Sequence, residues 1–216
     1  MPPPSRTFKP RSIRRLRKKI AVFCSGNGSN FEAIIQAVRR GKIRAEIAVM
    51  VCDNPKAYAI ERAKKYDIPV AVLPSKLFQD RKAHEKVIVS ILKNQGVDLV
   101  VLAGYMRIFT PFFIRAFRGR LINIHPSYLP AFKGAHAIKD AFEAKVTETG
   151  VTVHEVVAKV DAGPIILQRK VPISKKDTLA SLEKKIHRVE HELYPKAIQL
   201  KLRLIKPIRP FYTPGV

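Results

Sequence analysis

The chain has no tryptophan and only two cysteines, and it has 17 acidic residues compared with 41 lysine and arginine residues. Cys24 and Cys52 each end an apolar run and form no metal-ligand pattern, which indicates buried free thiols. Charges interrupt every apolar run well before the ~18 residues of a membrane-spanning helix, so the sequence predicts no membrane span. With 216 residues and 46% hydrophobic residues, the chain can bury the core of one domain.

The shortage of acidic residues leaves a net charge of +24. This charge attracts phosphate-bearing partners, both small phosphorylated molecules and RNA. Residues 1–18 contain four prolines and no acidic residue, and they predict a disordered basic extension without the apolar core of a secretory signal. Residues 19–202 predict the folded domain, and residues 203–216 a loose, basic, proline-containing tail. A cytoplasmic location is expected, with organelle targeting by the extension as the alternative.

Between residues 19 and 125 the pattern alternates between apolar strands and amphipathic helices. The predicted strands are residues 19–24, 45–52, 70–73, 98–103 and 120–125, and the predicted helices are residues 31–38, 57–66, 80–95 and 111–117. The helix at 80–95 should bury one face, formed by Val87, Ile88, Ile91 and Leu92. Strict alternation of this kind is typical of an α/β fold with a doubly wound, mostly parallel sheet.

The pattern changes after residue 130. Residues 135–144 predict a helix, and residues 150–157 and 164–172 alternate in the manner of an antiparallel pair. Residues 178–200 then predict a long C-terminal helix. Pro195 lies within it, and it should kink or break the helix near residues 192–194.

The segment 121–130, LINIHPSYLP, carries the clearest signal of a site. Asn123 and His125 lie two residues apart on a strand, so their side chains share a face. Pro126 and Pro130 stop the strand and form a rigid loop. Ligands of open α/β sheets bind at the carboxyl ends of strands, where an amide can donate to a carbonyl oxygen and an imidazole can move a proton. Alone, the pattern also fits a turn-capping Asn beside a surface His.

A glycine-containing loop, SGNGSN at residues 25–30, lies between the first strand and the first helix. This layout presents free backbone N–H groups and a helix dipole to an anion. The loop lacks the third glycine of a dinucleotide fingerprint and the Gly-Lys-Ser/Thr of a P-loop. A plain tight turn with an Asn or Ser cap is the alternative.

Four segments together resemble the folate-dependent formyltransferase family. They are residues 26–30, Asn123-x-His125-Pro-Ser, His136, and Thr152-Val-His154 with the later Asp161-Ala-Gly-Pro. The resemblance covers residues 19–200, and the glycine loop is typical of the branch whose acceptor is 5′-phosphoribosylglycinamide. Methionyl-tRNA formyltransferases have a further C-terminal domain and Arg-Gly where this chain has Lys133-Gly134. Formyltetrahydrofolate hydrolases add an N-terminal regulatory domain and lack the glycine loop.

The resemblance implies a Rossmann-like formyltransferase fold and a metal-free enzyme. Its reaction would transfer the formyl group of 10-formyltetrahydrofolate to the amine of 5′-phosphoribosylglycinamide in purine biosynthesis. Asn123 and a protonated His125 would donate to the oxyanion, and Asp161 would lie beside His125. A turn-forming Asp before Gly-Pro is the alternative for Asp161.

Supporting and substrate-binding residues also follow from the resemblance. Thr152 and His154 would brace Asp161, and His136 takes a family position that also suits a helix cap or a surface His. The ribonucleotide contacts would be Gly28, Ser29, Asn30 and Glu190. The folate contacts would be Arg81, Met106, Arg107, Ile108, Phe109, Asn123, Val157, Ala158, Lys159, Val160 and Asp161. Glu190 and Arg81 also fit as exposed helix charges.

This chain departs from the family at a few positions. Ala158 and Lys159 stand where many relatives have acidic residues, and Tyr128 replaces a leucine. The Leu129–Pro130 bond is expected to be cis. Three functional alternatives remain: another formyl acceptor, hydrolysis of the formyl donor, and binding of nucleic acid through the basic extension. A homodimer is also left open.

Overall fold

The computed structural model of the chain describes residues 17–206. Its strands are β1 (Lys18–Cys24), β2 (Ala45–Cys52), β3 (Val70–Val72), β4 (Leu99–Leu102), β5 (Leu121–His125), β6 (Glu148–Glu155) and β7 (Ile165–Pro172). Its helices are α1 (Ser29–Arg39), α2 (Ala59–Lys65), α3 (Arg81–Asn94), α4 (Pro111–Ala116), α5 (Ala137–Glu143) and α6 (Leu179–Leu204), with a 3₁₀ turn at Ser75–Leu77.

The strands form one seven-stranded sheet in the order β3-β2-β1-β4-β5-β6-β7. The pairs from β3 to β5 are parallel, and β6 and β7 add to β5 in antiparallel fashion. The predicted α/β fold with an antiparallel C-terminal part is therefore confirmed. The parallel strands bring their carboxyl ends to one edge of the sheet, and β5 with Asn123 and His125 lies near its middle.

The sheet is buried on both faces. On β1, Ile20 and Val22 point into a core shared with α1 and α6, whereas Ala21 and Phe23 point into a second core beneath α3 and α4. Two-sided burial explains why the parallel strands are continuous apolar runs rather than alternating ones. Cys24 and Cys52 are buried and free, as the sequence predicts.

Of the kink or break predicted near Pro195, the break is wrong, because α6 runs without interruption for 26 residues. A proline inside a helix removes one hydrogen bond and crowds the preceding turn. Here Pro195 and its neighbours Leu193 and Tyr194 are buried, and the Tyr194 hydroxyl donates to the carbonyl of Leu102 at 2.7 Å. This tertiary packing offsets the local cost, since most helix stability in proteins comes from a buried face.

The buried face of α3 also differs from the prediction. Val87 is 40% exposed, and the buried residues include His84, Glu85 and Val89. Glu85 accepts a hydrogen bond from the backbone N–H of Thr110 at 2.7 Å, and His84 Nε2 donates to the carbonyl of Leu73 at 2.9 Å. Hydrophobic periodicity misses this face because two of its buried side chains are polar and satisfied by loop backbone.

The predicted element ends differ from the observed ones by at most two residues, except at the end of α6. Lys18 already belongs to β1, and Arg203 and Leu204 belong to α6. The rest of the predicted extension and tail, residues 1–16 and 207–216, lies outside the described residues. No helix among residues 17–206 is long and apolar enough to cross a membrane.

Candidate active site

The polar end of β5 meets the neighbouring strand β6 in antiparallel register. Asn123 pairs with His154, and His125 pairs with Thr152. Asn123 Nδ2 lies 3.4 Å from His154 Nε2. Because paired residues project on the same face of a sheet, four polar side chains collect at one place.

Asp161 joins this group from the loop between β6 and β7. Its Oδ2 lies 3.5 Å from His125 Nδ1, and its Oδ1 lies 3.5 Å from His154 Nε2. The backbone N–H of Gly134 donates to Oδ2 at 2.9 Å. The structure therefore brings together the three residues that the sequence assigns to catalysis, and we call Asn123, His125, His154 and Asp161 the aspartate cluster.

The surroundings of Asp161 keep its carboxylate ionised. Burial alone would raise the pKa of Asp161, but hydrogen bonds from His154 and Gly134 and the nearby His125 lower it below the ordinary value of 3.8. The side chains of His125, His154 and Asp161 are only 5%, 3% and 8% exposed. In such a place, charge interactions are screened less than they are at the surface.

Backbone carbonyls orient both imidazoles. His125 Nε2 donates to the carbonyl of Phe132 at 2.8 Å, and His154 Nδ1 donates to the carbonyl of Glu155 at 2.9 Å. These bonds leave His125 Nδ1 and His154 Nε2 facing Asp161. The ring nitrogens turned toward the carboxylate are thus fixed by hydrogen bonds on the far sides of the rings.

The loop that carries Asp161 has a constrained backbone. Asp161 has φ +48°, a left-handed conformation that Asp and Asn adopt more readily than most residues. A Cβ on Gly163 would lie 1.8 Å from the carbonyl oxygen of Glu155, so only glycine fits there. The N–H of Glu155 donates to the carbonyl of Pro164 at 2.9 Å and closes the loop. Because only glycine fits at position 163, the loop can close and hold the Asp161 carboxylate over β5.

Thr152 supports the loop that follows β5. Its hydroxyl donates to the carbonyl of Ser127 at 2.7 Å and accepts from the N–H of Leu129 at 3.1 Å. Gln168 also donates to it, at 2.9 Å. Of the two residues expected to brace Asp161, His154 reaches the aspartate directly, and the Thr152 hydroxyl holds the loop after β5. The sequence analysis missed Gln168, which lies opposite Thr152 on β7.

The loop after β5 has the expected cis bond at Leu129–Pro130. The Tyr128 side chain packs over Gly150, where a Cβ would lie 2.9 Å from Tyr128 Cβ and 3.0 Å from its ring, and Lys170 Nζ lies 5.5 Å from the ring centre. The space that glycine leaves explains how this loop accommodates tyrosine.

The glycine loop ends at the amino terminus of α1. Gly28 is the N-cap residue with φ +75°, and a Cβ there would lie 2.8 Å from Ala59 Cβ. No side chain caps α1, and the first amides of a helix have no acceptor within it. Ser29 and Asn30 stand in this first turn. The geometry suits an anion at the helix end.

Glu190 is buried, although charge patterning alone favours an exposed helix residue. Its Oε2 accepts from Asn30 Nδ2 at 3.0 Å and from His187 Nδ1 at 2.8 Å. Among the described residues, Asn30 Oδ1 and His191 Nε2 are buried without a hydrogen-bond partner. These polar atoms lie next to the amino terminus of α1 and leave hydrogen-bonding capacity for a polar ligand.

His187 and His191 were missed by the sequence analysis. The hydrogen bond to Glu190 raises the pKa of His187 above its usual 6.5, although burial opposes it. Burial lowers the pKa of His191. Their spacing from Glu190, three residues before it and one after, was the available signal, because residues three apart on a helix are neighbours.

The predicted folate residues after β4 divide into exposed and buried side chains. Met106 is 74% exposed and Ile108 is 63% exposed, whereas Phe109 is buried and stacks on Phe113 with ring centres 4.0 Å apart. Phe109 therefore offers only its backbone to a ligand. Arg81 and Arg107 are both engaged within the chain: Arg81 donates to the carbonyl of Ile108, and Arg107 donates to the Ser75 hydroxyl at 2.6 Å.

Ser25 connects the glycine loop to this segment, a link that the sequence analysis missed. Its hydroxyl donates to Asp53 Oδ1 at 2.6 Å and accepts from the N–H of Met106 at 3.0 Å. The segment 104–109 is thus held on one side by Ser25 and on the other by Arg81.

The remaining predicted residues lie at the surface. Val157, Ala158, Lys159 and Val160 form an exposed stretch just before Asp161. His136 is exposed at the N-cap position of α5, and its side chain makes no cap hydrogen bond. No hydrogen bond joins His136 to the aspartate cluster within residues 17–206.

No three His, Cys, Asp or Glu side chains among the described residues are arranged to hold a metal ion.

Comparisons with known proteins place the chain in a family. A family model described as formyl transferase matches residues 18–198. The chain is 45% identical over 187 residues to phosphoribosylglycinamide formyltransferase of Bacillus subtilis, covering 87% of this chain and 96% of that protein. It is 43% identical over 182 residues to the protein of the same name from Haemophilus influenzae, covering 84% of this chain and 86% of that protein.

A solved structure agrees with these relatives. The crystal structure of phosphoribosylglycinamide formyltransferase from Bacillus halodurans has a TM-score of 0.83 and 47% identity, and the match covers 86% of this chain and 95% of that chain. The chain therefore belongs to the formyl transferase family, among the phosphoribosylglycinamide formyltransferases.

Proposed function

We propose that the protein transfers the formyl group of 10-formyltetrahydrofolate to the amine of 5′-phosphoribosylglycinamide. In this reaction the amine nitrogen forms a bond to the formyl carbon, and the bond from that carbon to the folate nitrogen breaks. The products are formylglycinamide ribonucleotide and tetrahydrofolate, and one proton moves from the amine to the folate nitrogen. The observation that carries the proposal is the aspartate cluster at the end of β5, in a chain of this family.

Asn123 and His125 are the proposed donors to the oxyanion that forms when the amine adds to the formyl carbon. The Asn123 amide and His125 Nδ1 both face the space beside Asp161. Donors that are already oriented stabilise developing charge without reorganisation. Asp161, ionised and 3.5 Å from His125 Nδ1, would hold the protonated imidazole and accept the amine proton, directly or through a water.

The ribonucleotide is proposed to bind between α1 and α6. Its phosphate would accept from the backbone amides of Gly28, Ser29 and Asn30, where the uncapped helix end favours an anion. Glu190 would accept from the amine or the ribose hydroxyls. The unpartnered Asn30 Oδ1 and His191 Nε2 are the polar atoms that such a ligand would satisfy.

The folate is proposed to lie between the segment after β4 and the loop before Asp161. Exposed apolar side chains on both segments, Met106 and Ile108 on one and Val157 and Val160 on the other, would cover a flat heterocycle. Arg81, Arg107, Phe109, Ala158 and Lys159 complete the proposed folate contacts. Ala158 and Lys159 suit recognition by backbone groups, because neither brings the acidic side chain found in many relatives.

A turnover assay tests this function and separates it from its alternatives. Purified protein is mixed with 10-formyltetrahydrofolate, with and without 5′-phosphoribosylglycinamide, and tetrahydrofolate and formylated product are both measured. We expect tetrahydrofolate and formylated product in equal amounts, and only when the acceptor is present. Asn123→Ala should lower turnover by about 10²–10³, the cost of removing one oxyanion donor. Tetrahydrofolate without acceptor would identify a hydrolase instead. A stable protein without turnover would refute the proposed reaction.

A further inference from the structure

The positive charge of the chain is concentrated at the end of the sheet opposite the aspartate cluster. Six segments lie at this end: the five that precede the parallel strands, and the end of α6. Together they hold fourteen lysine and arginine residues against three acidic ones. They are residues 17–19, 39–46, 65–69, 93–98, 117–120 and 201–206. The loops at the carboxyl ends of the parallel strands hold four lysine and arginine residues against two acidic ones. These loops are residues 25–30, 53–58, 73–80, 103–110 and 126–136. Most of these basic residues therefore lie away from the aspartate cluster.

Contacts across this end show that its segments form one surface. Lys18 Nζ donates to the carbonyl of Ile205 at 2.6 Å, and Arg120 Nη2 donates to the carbonyl of Lys206 at 2.9 Å. The N–H of Arg44 donates to Gln199 Oε1 at 2.7 Å. We call the six basic segments together the basic face.

A cleft of about 730 Å³ opens on the basic face between α1, α2 and β2. Arg39 and Lys65 lie against the ring of Tyr66 at 5.2 and 5.3 Å, and both residues line the cleft together with Arg17. Glu46 and Asp67 are the acidic residues that line it. A cleft of this size admits a nucleotide unit with its phosphate close to several cations.

We infer that the basic face binds single-stranded RNA through its phosphate backbone. The charge is spread over six segments, so it fits a long polyanion better than one small anion. Binding at this surface needs no protruding recognition helix, because phosphate contacts carry no sequence information. The cleft beside Tyr66 accommodates the unstacked bases of a single strand, whereas a rigid duplex cannot enter it. This binding is separate from formyl transfer, which takes place at the other end of the sheet.

Three exposed residues allow a clean test, because their side chains make no hydrogen bond or ion pair with any described residue: Arg40, Lys42 and Arg44. The matched control removes three exposed lysines near the amino terminus of α6: Lys175, Lys176 and Lys184. α6 begins at Leu179 and reaches the basic face at Lys201. At 1.5 Å per residue, Lys184 therefore lies roughly 25 Å from the basic face, and the start of the helix, which Lys175 and Lys176 precede, lies roughly 33 Å from it. Both triple variants, with glutamine at each position, lose the same net charge.

The measurement is fluorescence anisotropy of a labelled 20-nucleotide oligouridine with the full-length protein, between 50 and 300 mM salt. We expect salt-dependent binding by wild type, a roughly 10- to 100-fold loss of affinity at 0.1 M salt in the Arg40/Lys42/Arg44 variant, and a reduction of the salt slope by about 2. The lysine control should bind within about threefold of wild type, and formyl transfer should be unchanged in both variants.

Three results would overturn the inference. Wild type could fail to bind the RNA at 0.1 M salt, or the two variants could lose affinity equally, which would assign binding to net charge alone. Poly-glutamate could displace the RNA as well as unlabelled oligouridine does, which would indicate an acidic protein as the partner. Loss of formyl transfer by the variants would bear on their folding, and it is therefore measured first.

Discussion

Replacing Asp161 with asparagine is the sharpest test of the aspartate cluster. The change removes one charge but keeps the size of the side chain. Asparagine also tolerates the left-handed backbone at φ +48°, which alanine would strain. The N–H of Gly134 can still donate to the amide oxygen, so the loop should keep its conformation.

The size of the effect follows from the distance between the charges. Asp161 Oδ2 lies 3.5 Å from His125 Nδ1, and at an effective dielectric constant near 20 two unit charges at that distance attract by about 4–5 kcal/mol. Only the part of this attraction that grows as the reaction proceeds accelerates the reaction. Loss of the carboxylate as a proton acceptor adds to it. We expect kcat to fall by about 10²–10⁴.

The assay is steady-state formyl transfer by Asp161→Asn at pH 7.5, with Asp177→Asn as the matched control. Asp177 is also an ionised aspartate, whose pKa is lowered to about 2 by hydrogen bonds from Lys185, Ser174 and Ser181, but it precedes α6. The KM for 5′-phosphoribosylglycinamide should change little in Asp161→Asn, since its proposed contacts lie on α1 and α6. If Asp161→Asn retains more than a tenth of wild-type kcat, or the control loses as much, the assigned role is wrong.

Three further predictions concern stability. Gly163→Ala should lower the free energy of unfolding by about 1–3 kcal/mol, because its Cβ would meet a carbonyl oxygen at 1.8 Å. Gly26 has open space around it, so Gly26→Ala should change the free energy of unfolding by no more than about 1 kcal/mol. Urea denaturation measures both variants. The raised pKa of His187 stabilises the fold at pH values below the unfolded pKa of 6.5, and this contribution disappears as pH rises through the raised pKa. His187→Gln should therefore lower Tm more at pH 5.5 than at pH 9. Equal losses of Tm at the two pH values would contradict the pairing with Glu190. Thr178→Ala removes the side-chain cap of α6 and should cost about 1 kcal/mol in urea unfolding, with no change in activity.

Local patterns carry most of the fold. The parallel strands can be predicted from the sequence because burial on both faces keeps polar residues out of their apolar runs. A proline or glycine follows each run and marks its end. The failures at Pro195 and Val87 have one cause. In both cases tertiary contacts overrode a local preference: packing along α6 at Pro195, and the hydrogen bond from Thr110 to Glu85 on α3. Neither partner is near in sequence, so no window of the chain contains the information.

The site shows the same division. Asn123 and His125 are predictable because a strand of period two presents both on one face. Asp161 is 36 residues beyond His125 in the sequence, and spacing alone gives no reason to place it there; the family resemblance supplied it. The sequence places Thr152 on the same face of β6 as His154, but its acceptor, the Ser127 carbonyl, depends on how the loop after β5 folds.

The distribution of charge gives a physical reason for separating the two ends of the sheet. In the proposed mechanism Asp161 holds a protonated His125, and nearby lysines or arginines would disfavour that protonated imidazole. The proposed phosphate site offers backbone amides at the uncapped start of α1, and Arg62, which donates to Asn27 in the same loop, is a cation beside it. The basic face begins at Lys18, and β1 has seven residues, which places the face roughly 20 Å from the ends of the strands. That distance exceeds the Debye length of ~8 Å at physiological ionic strength, so the chain can carry a polyanion-binding surface without changing the protonation of its catalytic groups.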